Sequence, residues 1–212
     1  MAAKGNLSSE LVVAAAVELL DRDGLDAFSM RGLAAELGVA SPTLYWHVAS
    51  RAELLNQVAD RIVLQGRMGP PNEGERWDDW LVRRAHGYRD ALLAHRDGAR
   101  IVGGATELSQ SLPEFEQELA ALVRVGFAPH HALQLITTAS HFTLGHVLQI
   151  QGSTTPDRPR HVPDLTDQPT LREALRGASG TDDPFDAGLR IILTGAARLL
   201  DAERQAHPVR SA

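Results

Sequence analysis

Apolar residues recur at helical spacing almost from the start of the chain. In "SSELVVAAAVELLDRDG", residues 8–24, they form a stripe along one side of a helix, and Gly24 marks its end. The stripe consists of Leu11, Val12, Ala15, Ala16, Leu19 and Leu20. A second helix is predicted from the cap Ser29 to Gly38, and a third begins at Ser41 with Pro42 in its first position.

A fourth helix is predicted from Ser50 to Gly66. Ser50 and Glu53 have the spacing of a capping box, and Leu54, Val58 and Ile62 follow on one face. Only about two turns separate this helix from the start of the third, which is too short to bury three large side chains. Some of Tyr45, Trp46 and His47 must therefore face water or a partner.

The rest of the chain continues the helical pattern around two irregular segments. Residues 66–76 are rich in Gly and Pro, and residues 153–169 carry four prolines, which predicts a long loop that is functional or mobile. Further helices are predicted near Trp77, Ser111, Pro129 and Asp183. No internal repeat and no convincing strand occurs, so the predicted fold is all-α with about nine or ten helices.

The second and third predicted helices have the spacing of a helix-turn-helix. Leu33, Ala34 and Leu37 lie on an inner face, the chain turns at residues 38–40, and Leu44 points inward from the next helix together with Val48. The remaining residues of the third helix then lie toward the open side. These outward residues are Ser41, Pro42, Thr43, Tyr45 and His47.

These outward residues suit contacts with DNA. Their hydroxyls and imidazole can reach phosphates and base edges, and Pro42 and the ring of Tyr45 can contact thymine methyl groups. Arg31 is placed for a bidentate guanine contact, and Arg51 at the next helix's N-terminus is placed for a phosphate. The alternative is an ordinary helical corner with solvated polar residues; the cluster of exposed aromatics favours DNA.

Composition limits the other possibilities. The chain has 212 residues, 43% of them hydrophobic but only 5% aromatic, which favours helices over sheets. There are no cysteines, so disulfides and thiolate sites are excluded, and neither a signal-like run nor a membrane span is evident. We therefore expect a cytoplasmic protein. Its net charge of −6 argues against a diffuse basic surface, and residues 1–68 carry six Lys or Arg against eight Asp or Glu.

The second half carries its own signal. Residues 129–156 lack any Asp, Glu, Lys or Arg, so this helix is either a central core helix or one that lines a ligand cavity and a dimer interface. The last helix combines large apolar residues with small ones that permit close helix packing, which fits a four-helix dimer interface or packing within one chain. No catalytic, nucleotide-binding or metal-binding motif occurs; we expect no enzyme, no metal site and no cofactor.

The head motif "SMRGLAAELGVASPTLYWHV", residues 29–48, resembles the pattern "TxxxLAxxLGVxxPTLYWHV" of the tetracycline-repressor (TetR) family. "ALLAHRDGA", "SHFTLG" and "FDAGLRIILTG" resemble the family's effector-binding body, that of the tetracycline repressors in particular. The resemblance implies an all-helical homodimer in which a three-helix head, residues 5–50, joins a larger effector-binding and dimerisation domain, residues 51–207. It also implies a palindromic operator and an unknown small-molecule effector that releases it.

The resemblance also implies roles for individual residues. The operator contacts are carried over to Arg31, Ser41, Pro42, Thr43, Tyr45, Trp46, His47 and Arg51. The ligand-binding positions are carried over to Arg67, Arg84, Tyr88, Val102, His141 and Gln149. Val102 and Gln149 stand where the family has a metal-binding histidine and its supporting carboxylate, so magnesium-tetracycline is not the expected effector.

Two other classes of function compete with the regulator. An enzyme that uses the histidine-rich body would need a nucleophile with its base, or metal ligands in register, and the sequence offers neither. A helical small-molecule-binding or interaction module without DNA binding would leave the Tyr-Trp-His cluster unexplained. A ligand-responsive transcriptional regulator, in its usual form a repressor, is the function that the sequence favours.

Overall fold

The computed structural model describes residues 7–153, 164–178 and 183–206, and these residues form ten helices without a strand. The helices are α1 Ser9–Asp23, α2 Met30–Glu36, α3 Ser41–Leu44, α4 Arg51–Gln65, α5 Trp77–Ala94, α6 Gly98–Gly103, α7 Leu112–Val125, α8 Pro129–Ser153, α9 Pro169–Ala178 and α10 Pro184–Ala206. The predicted all-α class is confirmed. No helix within these ranges is long and apolar enough to cross a membrane.

The first three helices form a small bundle whose core is the predicted one. Ser8 and Ser29 cap α1 and α2 through their hydroxyls. Leu33, Ala34 and Leu44 are buried in the same cluster as the inner residues of α1 and of α4, and Val48 joins them. Leu11 is an exception, because it is exposed although it belongs to the predicted stripe.

Helix α3 is shorter than predicted. Its N-cap is Ala40 rather than Ser41, and its regular part ends at Leu44 after one turn. The backbone N–H groups of His47 and Val48 both donate to the carbonyl of Leu44, which closes the helix. The chain then passes through turns, and this leaves the following aromatic residues outside any helix.

Helix α4 connects the head to the rest of the protein. Half of the predicted capping box is present: the Ser50 hydroxyl accepts from the backbone N–H of Glu53. The carboxylate of Glu53 accepts from the backbone N–H of Ala49, one residue before the N-cap. Leu54 and Val58 pack in the core that includes the head, and Val63, near the C-terminal end of the same helix, lines a cavity of the body. One rigid element therefore touches both regions.

The body packs around α5, α7, α8 and α10. Trp80, Leu122 and Ile136 form one part of its core, and Phe185 of α10 lies in another against α5 and α8. The uncharged helix α8 is therefore a core helix on one side. Its other side is exposed, and so is part of α10; the large apolar residues there are Leu133, Leu148, Ile191 and Leu199.

The predicted irregular segment, residues 153–169, is only partly covered. Residues 154–163 lie outside the described ranges, Ser153 ends α8, and Pro169 begins α9. Helix α9 is an element that the sequence analysis did not predict. It is amphipathic, with exposed Leu171 and Leu175.

Candidate nucleic-acid interface and internal cavity

The predicted DNA contacts lie together on the surface of the head. Trp46 is 87% exposed and Tyr45 is 51% exposed, and Pro42 is exposed beside them. Leu44 and Val48 are buried, which fixes the direction in which the residues around them point. We call Arg31, Ser41, Pro42, Thr43, Tyr45, Trp46, His47 and Arg51 the reading surface.

The two arginines of the reading surface form no ion pairs with other described residues. Among the described residues, no ion pair involves Arg31 or Arg51, and the guanidinium of Arg51 lies 5.6 Å from the ring centre of Phe28. Arg22, on the other side of α2, pairs instead with Asp23 and Glu36. The reading surface therefore offers free positive charge although the head as a whole is acidic.

Below the head, the body has a partly open cavity of about 240 Å³ between α4, α5, α7 and α8. Its walls are mainly apolar and come from Val63, Met68, Leu108, Leu112 and Phe115, with the ring of Tyr88. Burial raises the pKa of Tyr88 to about 12, so its hydroxyl keeps its proton. The polar residues of its wall are Arg84, Ser111 and Ser140, and we call this part of the wall the polar end.

A buried ion pair forms this polar end. The Nε atom of Arg84 lies 2.8 Å from Oε2 of Glu118, but the two atoms are not aligned for a hydrogen bond. Arg84 also donates to the hydroxyl of Ser140, at 3.3 Å, and Glu118 accepts from the backbone N–H of Gly69. Burial raises the pKa of the Glu118 carboxyl, and the charge of Arg84 acts in the opposite direction.

Close backbone contact joins the cavity to α4. A Cβ atom on Gly87 would lie 2.5 Å from the carbonyl oxygen of Gly66, and one on Gly66 would lie 3.0 Å from Cα of Tyr88. Only glycine allows α4 and α5 to approach so closely here. The cavity residue Tyr88 is therefore in direct backbone contact with Gly66, the residue that ends α4.

Only two of the six predicted ligand-binding residues line the cavity: Arg84 and Tyr88. Arg67, His141 and Gln149 are exposed, and Val102 is a buried core residue of α6. The sequence analysis did not predict most of the residues that form the cavity wall. Met68, Leu108, Leu112 and Phe115 carry no motif. Ser111 is the N-cap residue of α7, but its hydroxyl donates to Asp60 and not to the helix end.

The sequence matches two family models along most of its length. The model described as "Bacterial regulatory proteins, tetR family" matches residues 12–58, and the one described as "Tetracyclin repressor-like, C-terminal domain" matches residues 70–200. The chain belongs to the TetR family. The resemblance inferred from the head motif and the body is thereby confirmed.

Relatives and solved structures agree with this assignment. The tetracycline repressor protein class D of Escherichia coli is 38% identical over 194 residues, 89% of this chain and 88% of the relative. A TetR variant of Acinetobacter baumannii in complex with minocycline has a TM-score of 0.75 at 31% identity, over 92% of this chain and 99% of that one. ActR of Streptomyces coelicolor in complex with (S)-DNPA has a TM-score of 0.78 at 28% identity, over 92% and 98%.

Membership of the TetR family defines the general function. The protein is a ligand-responsive transcriptional regulator, with an N-terminal helix-turn-helix DNA-binding domain and a helical effector domain. The curated relatives are named as repressors. The family typically forms dimers.

The magnesium site of the tetracycline-binding members does not fit the residues present. Val102 has no ligating atom and is buried, and Gln149 is exposed with a neutral side chain. The described residues contain no group of three His, Cys, Asp or Glu that could hold a metal ion. The donor set is therefore unsuitable for a hard divalent cation at this position.

Proposed function

We propose that this TetR-family protein is a repressor that binds a palindromic operator as a homodimer through the eight residues of the reading surface. The observation that supports this most strongly is the exposure of Tyr45 and Trp46 next to unpaired Arg31 and Arg51. Exposed aromatic rings cost a protein solubility unless a partner covers them. Since it acts on operator DNA, we place it in the cytoplasm, where it works by binding and not by catalysis.

The exposed faces of α8 and α10 support dimerisation. Ile191 is 76% exposed, and Leu133, Leu148 and Leu199 are exposed on the same two helices. Gly195 has open space around it, whereas Gly188 is closely covered by Phe142 of its own chain. The two glycines of α10 thus have different roles. Gly188 allows close packing within the chain, and Gly195 leaves room for a helix of a second copy.

The cavity is the proposed effector site, and α4 is the proposed coupling element. Head (5–50) and effector domain (51–207) meet at this helix, and the loop before α6 ties them further. The His95 ring bonds to Asp21 of α1 and to Gln65 of α4, and Arg100 pairs with Asp26. An effector acts if it binds the released arrangement of the heads more tightly than the DNA-bound one.

The test of this function is selection of genomic DNA fragments by the purified protein, carried out in parallel with Arg31→Ala and Tyr45→Ala. We expect the wild type to enrich a single palindromic site and both variants to lose it. Arg61→Ala is a matched control for arginine substitutions, because Arg61 is exposed on α4 but lies outside the reading surface. Loss of enrichment with Arg61→Ala as well, or no enrichment by the wild type, would contradict the proposal.

Dimerisation is tested by placing a charge on the exposed face of α10. Ile191→Asp should weaken self-association at least roughly a hundred-fold, because an unpaired carboxylate is costly to bury. Sedimentation velocity measures this, with Val123→Asp as control, since Val123 is an exposed apolar residue of α7. Equal association of the two variants would place the dimer interface elsewhere.

A further inference from the structure

The charged residues at and behind the cavity wall indicate which ligand charge the cavity favours. Among the described residues that line it, Arg84 is the one charged side chain. A cationic ligand would meet this guanidinium first, because Glu118, Glu114 and Asp60 do not line the cavity. A cation at this site is therefore unfavourable unless Arg84 moves and exposes the carboxylate of Glu118.

An anionic ligand is unfavourable for a different reason. Glu118 is fully buried behind Arg84 and already balances its charge. Glu114 is part of the same helix one turn away, and Asp60 is buried on α4, where it accepts hydrogen bonds from Gln110 and Ser111. A carboxylate in the cavity would add a further negative charge to this set without a cation of its own.

The polar end nevertheless offers hydrogen bonds. Nε of Arg84 faces Glu118, but its Nη1 makes only a long hydrogen bond, at 3.3 Å, with the Ser140 hydroxyl. Tyr88, another residue of the cavity wall, carries a further hydroxyl donor. Buried donors usually have good partners in folded proteins, and a ligand acceptor would provide one for the guanidinium of Arg84.

The size of the cavity limits the ligand's skeleton. An apolar cavity of about 150 Å³ holds one benzene ring. The present cavity of about 240 Å³ is larger, with apolar walls from Met68, Leu108 and Phe115. A fused two-ring skeleton matches the volume of this cavity.

We propose that the effector is a compact, uncharged, two-ring molecule that bears a carbonyl oxygen, which accepts hydrogen bonds from Arg84 and its neighbouring hydroxyls, and that it binds without a metal ion. This inference rests on the proposed effector role of the cavity and specifies its chemistry. Glu118 is then a specificity residue. Because its carboxylate balances the charge of Arg84, a ligand with a neutral hydrogen-bond acceptor binds more tightly than a ligand with a carboxylate.

Four probes of similar shape test the proposal by calorimetry on the full chain in the presence of EDTA. They are 1-tetralone (neutral ketone), tetralin (no acceptor), 1-naphthoate (carboxylate) and 1-naphthylmethylammonium (cation). We expect 1-tetralone to bind at least roughly ten-fold more tightly than each of the others, since a hydrogen bond to a charged group is worth about that factor. Tighter binding of the acid or the cation, or equal binding of tetralin, would overturn the proposal.

A variant tests the role of Glu118 directly. Glu118→Gln removes the negative charge behind Arg84, and the ratio of naphthoate to tetralone affinity should rise at least roughly ten-fold. The matched control is Glu75→Gln, because Glu75 pairs with Arg83, the neighbour of Arg84, outside the cavity. An unchanged ratio in folded Glu118→Gln would contradict the specificity role. If that variant fails to fold, the wild-type panel still decides the ligand class.

Operator binding by the same preparation separates this inference from the proposed function. If the operator is bound but 1-tetralone is not, the ligand class is wrong and the regulator function stands. If 1-tetralone binds as expected but no DNA site is enriched, the chemistry of the cavity stands and the proposed function is wrong.

Discussion

The reading surface draws its side chains from one stretch of chain, Arg31 to Arg51, whereas the cavity collects residues from four segments between Val63 and Ser140. On the reading surface the side chains are exposed or partly exposed, and the arginines form no ion pair with a described residue. In the cavity, the charged groups are buried and balanced against each other. The first region can therefore change its DNA target with little effect on folding, while changes in the second act on the protein core as well.

The largest expected effect lies on the reading surface. Replacing Arg31 with Ala should lower operator affinity about 100-fold, since a bidentate base contact is worth about 1–3 kcal/mol and a dimer makes it twice. The melting temperature should not change, because the side chain is exposed and unpaired. Fluorescence anisotropy and thermal unfolding measure both quantities. If Arg31→Ala lowered the stability of the fold as much as it lowered operator affinity, the reading surface would be coupled to folding in the same way as the cavity.

The next effect concerns the contact beside the cavity. Gly87→Ala should lower the free energy of unfolding by about 1–3 kcal/mol, because its Cβ would press on the backbone of Gly66. Gly152→Ala is the control, since its Cβ would meet no heavy atom within 4 Å. Urea denaturation measures the free energy of unfolding of the two variants. If both variants are equally stable, α4 and α5 do not depend on this close approach.

Filling the cavity should affect the ligand but not DNA. Leu108→Trp places a larger side chain on the cavity wall, and we expect roughly ten-fold weaker binding of 1-tetralone with unchanged operator affinity. Leu93→Trp is a control on the exposed side of α5. Calorimetry and anisotropy provide the two readouts. Loss of operator binding in Leu108→Trp alone would mean that the cavity also shapes the heads in the absence of ligand.

The smallest predicted effect is on pH dependence. Burial, together with the charge of Arg89, lowers the pKa of His146, which lies against Phe142 and Phe185 near Asp183. The folded state thus favours the neutral ring, and its contribution to stability is present above the ordinary histidine pKa and is lost as the pH falls below it. The melting temperature of the wild type should fall more between about pH 7.5 and about pH 5.5 than that of His146→Gln. Exposed His130→Gln should behave as the wild type.

The same contrast explains what the sequence could predict. The reading surface follows from local rules: the helical period buries Leu44 and Val48, and the polar and aromatic residues between them must then face outward. The cavity depends on which helices cross, and the sequence contains no local sign that Leu108 and Ser140 meet. Arg84 and Tyr88 were found by resemblance, but the same method placed Val102 and Gln149 at a ligand site, where the structure shows a buried and an exposed residue.

The head of an acidic protein needs focused contacts to hold DNA, and the salt dependence of binding tests this most directly. The measurement compares affinity for the selected operator and for a scrambled duplex of the same composition over a series of salt concentrations. With the phosphate contact of Arg51 made by each of two heads, the logarithm of the operator affinity should fall with a slope of about −2 against the logarithm of salt, and the scrambled duplex should bind weakly. Equal affinity for the two duplexes would contradict the account.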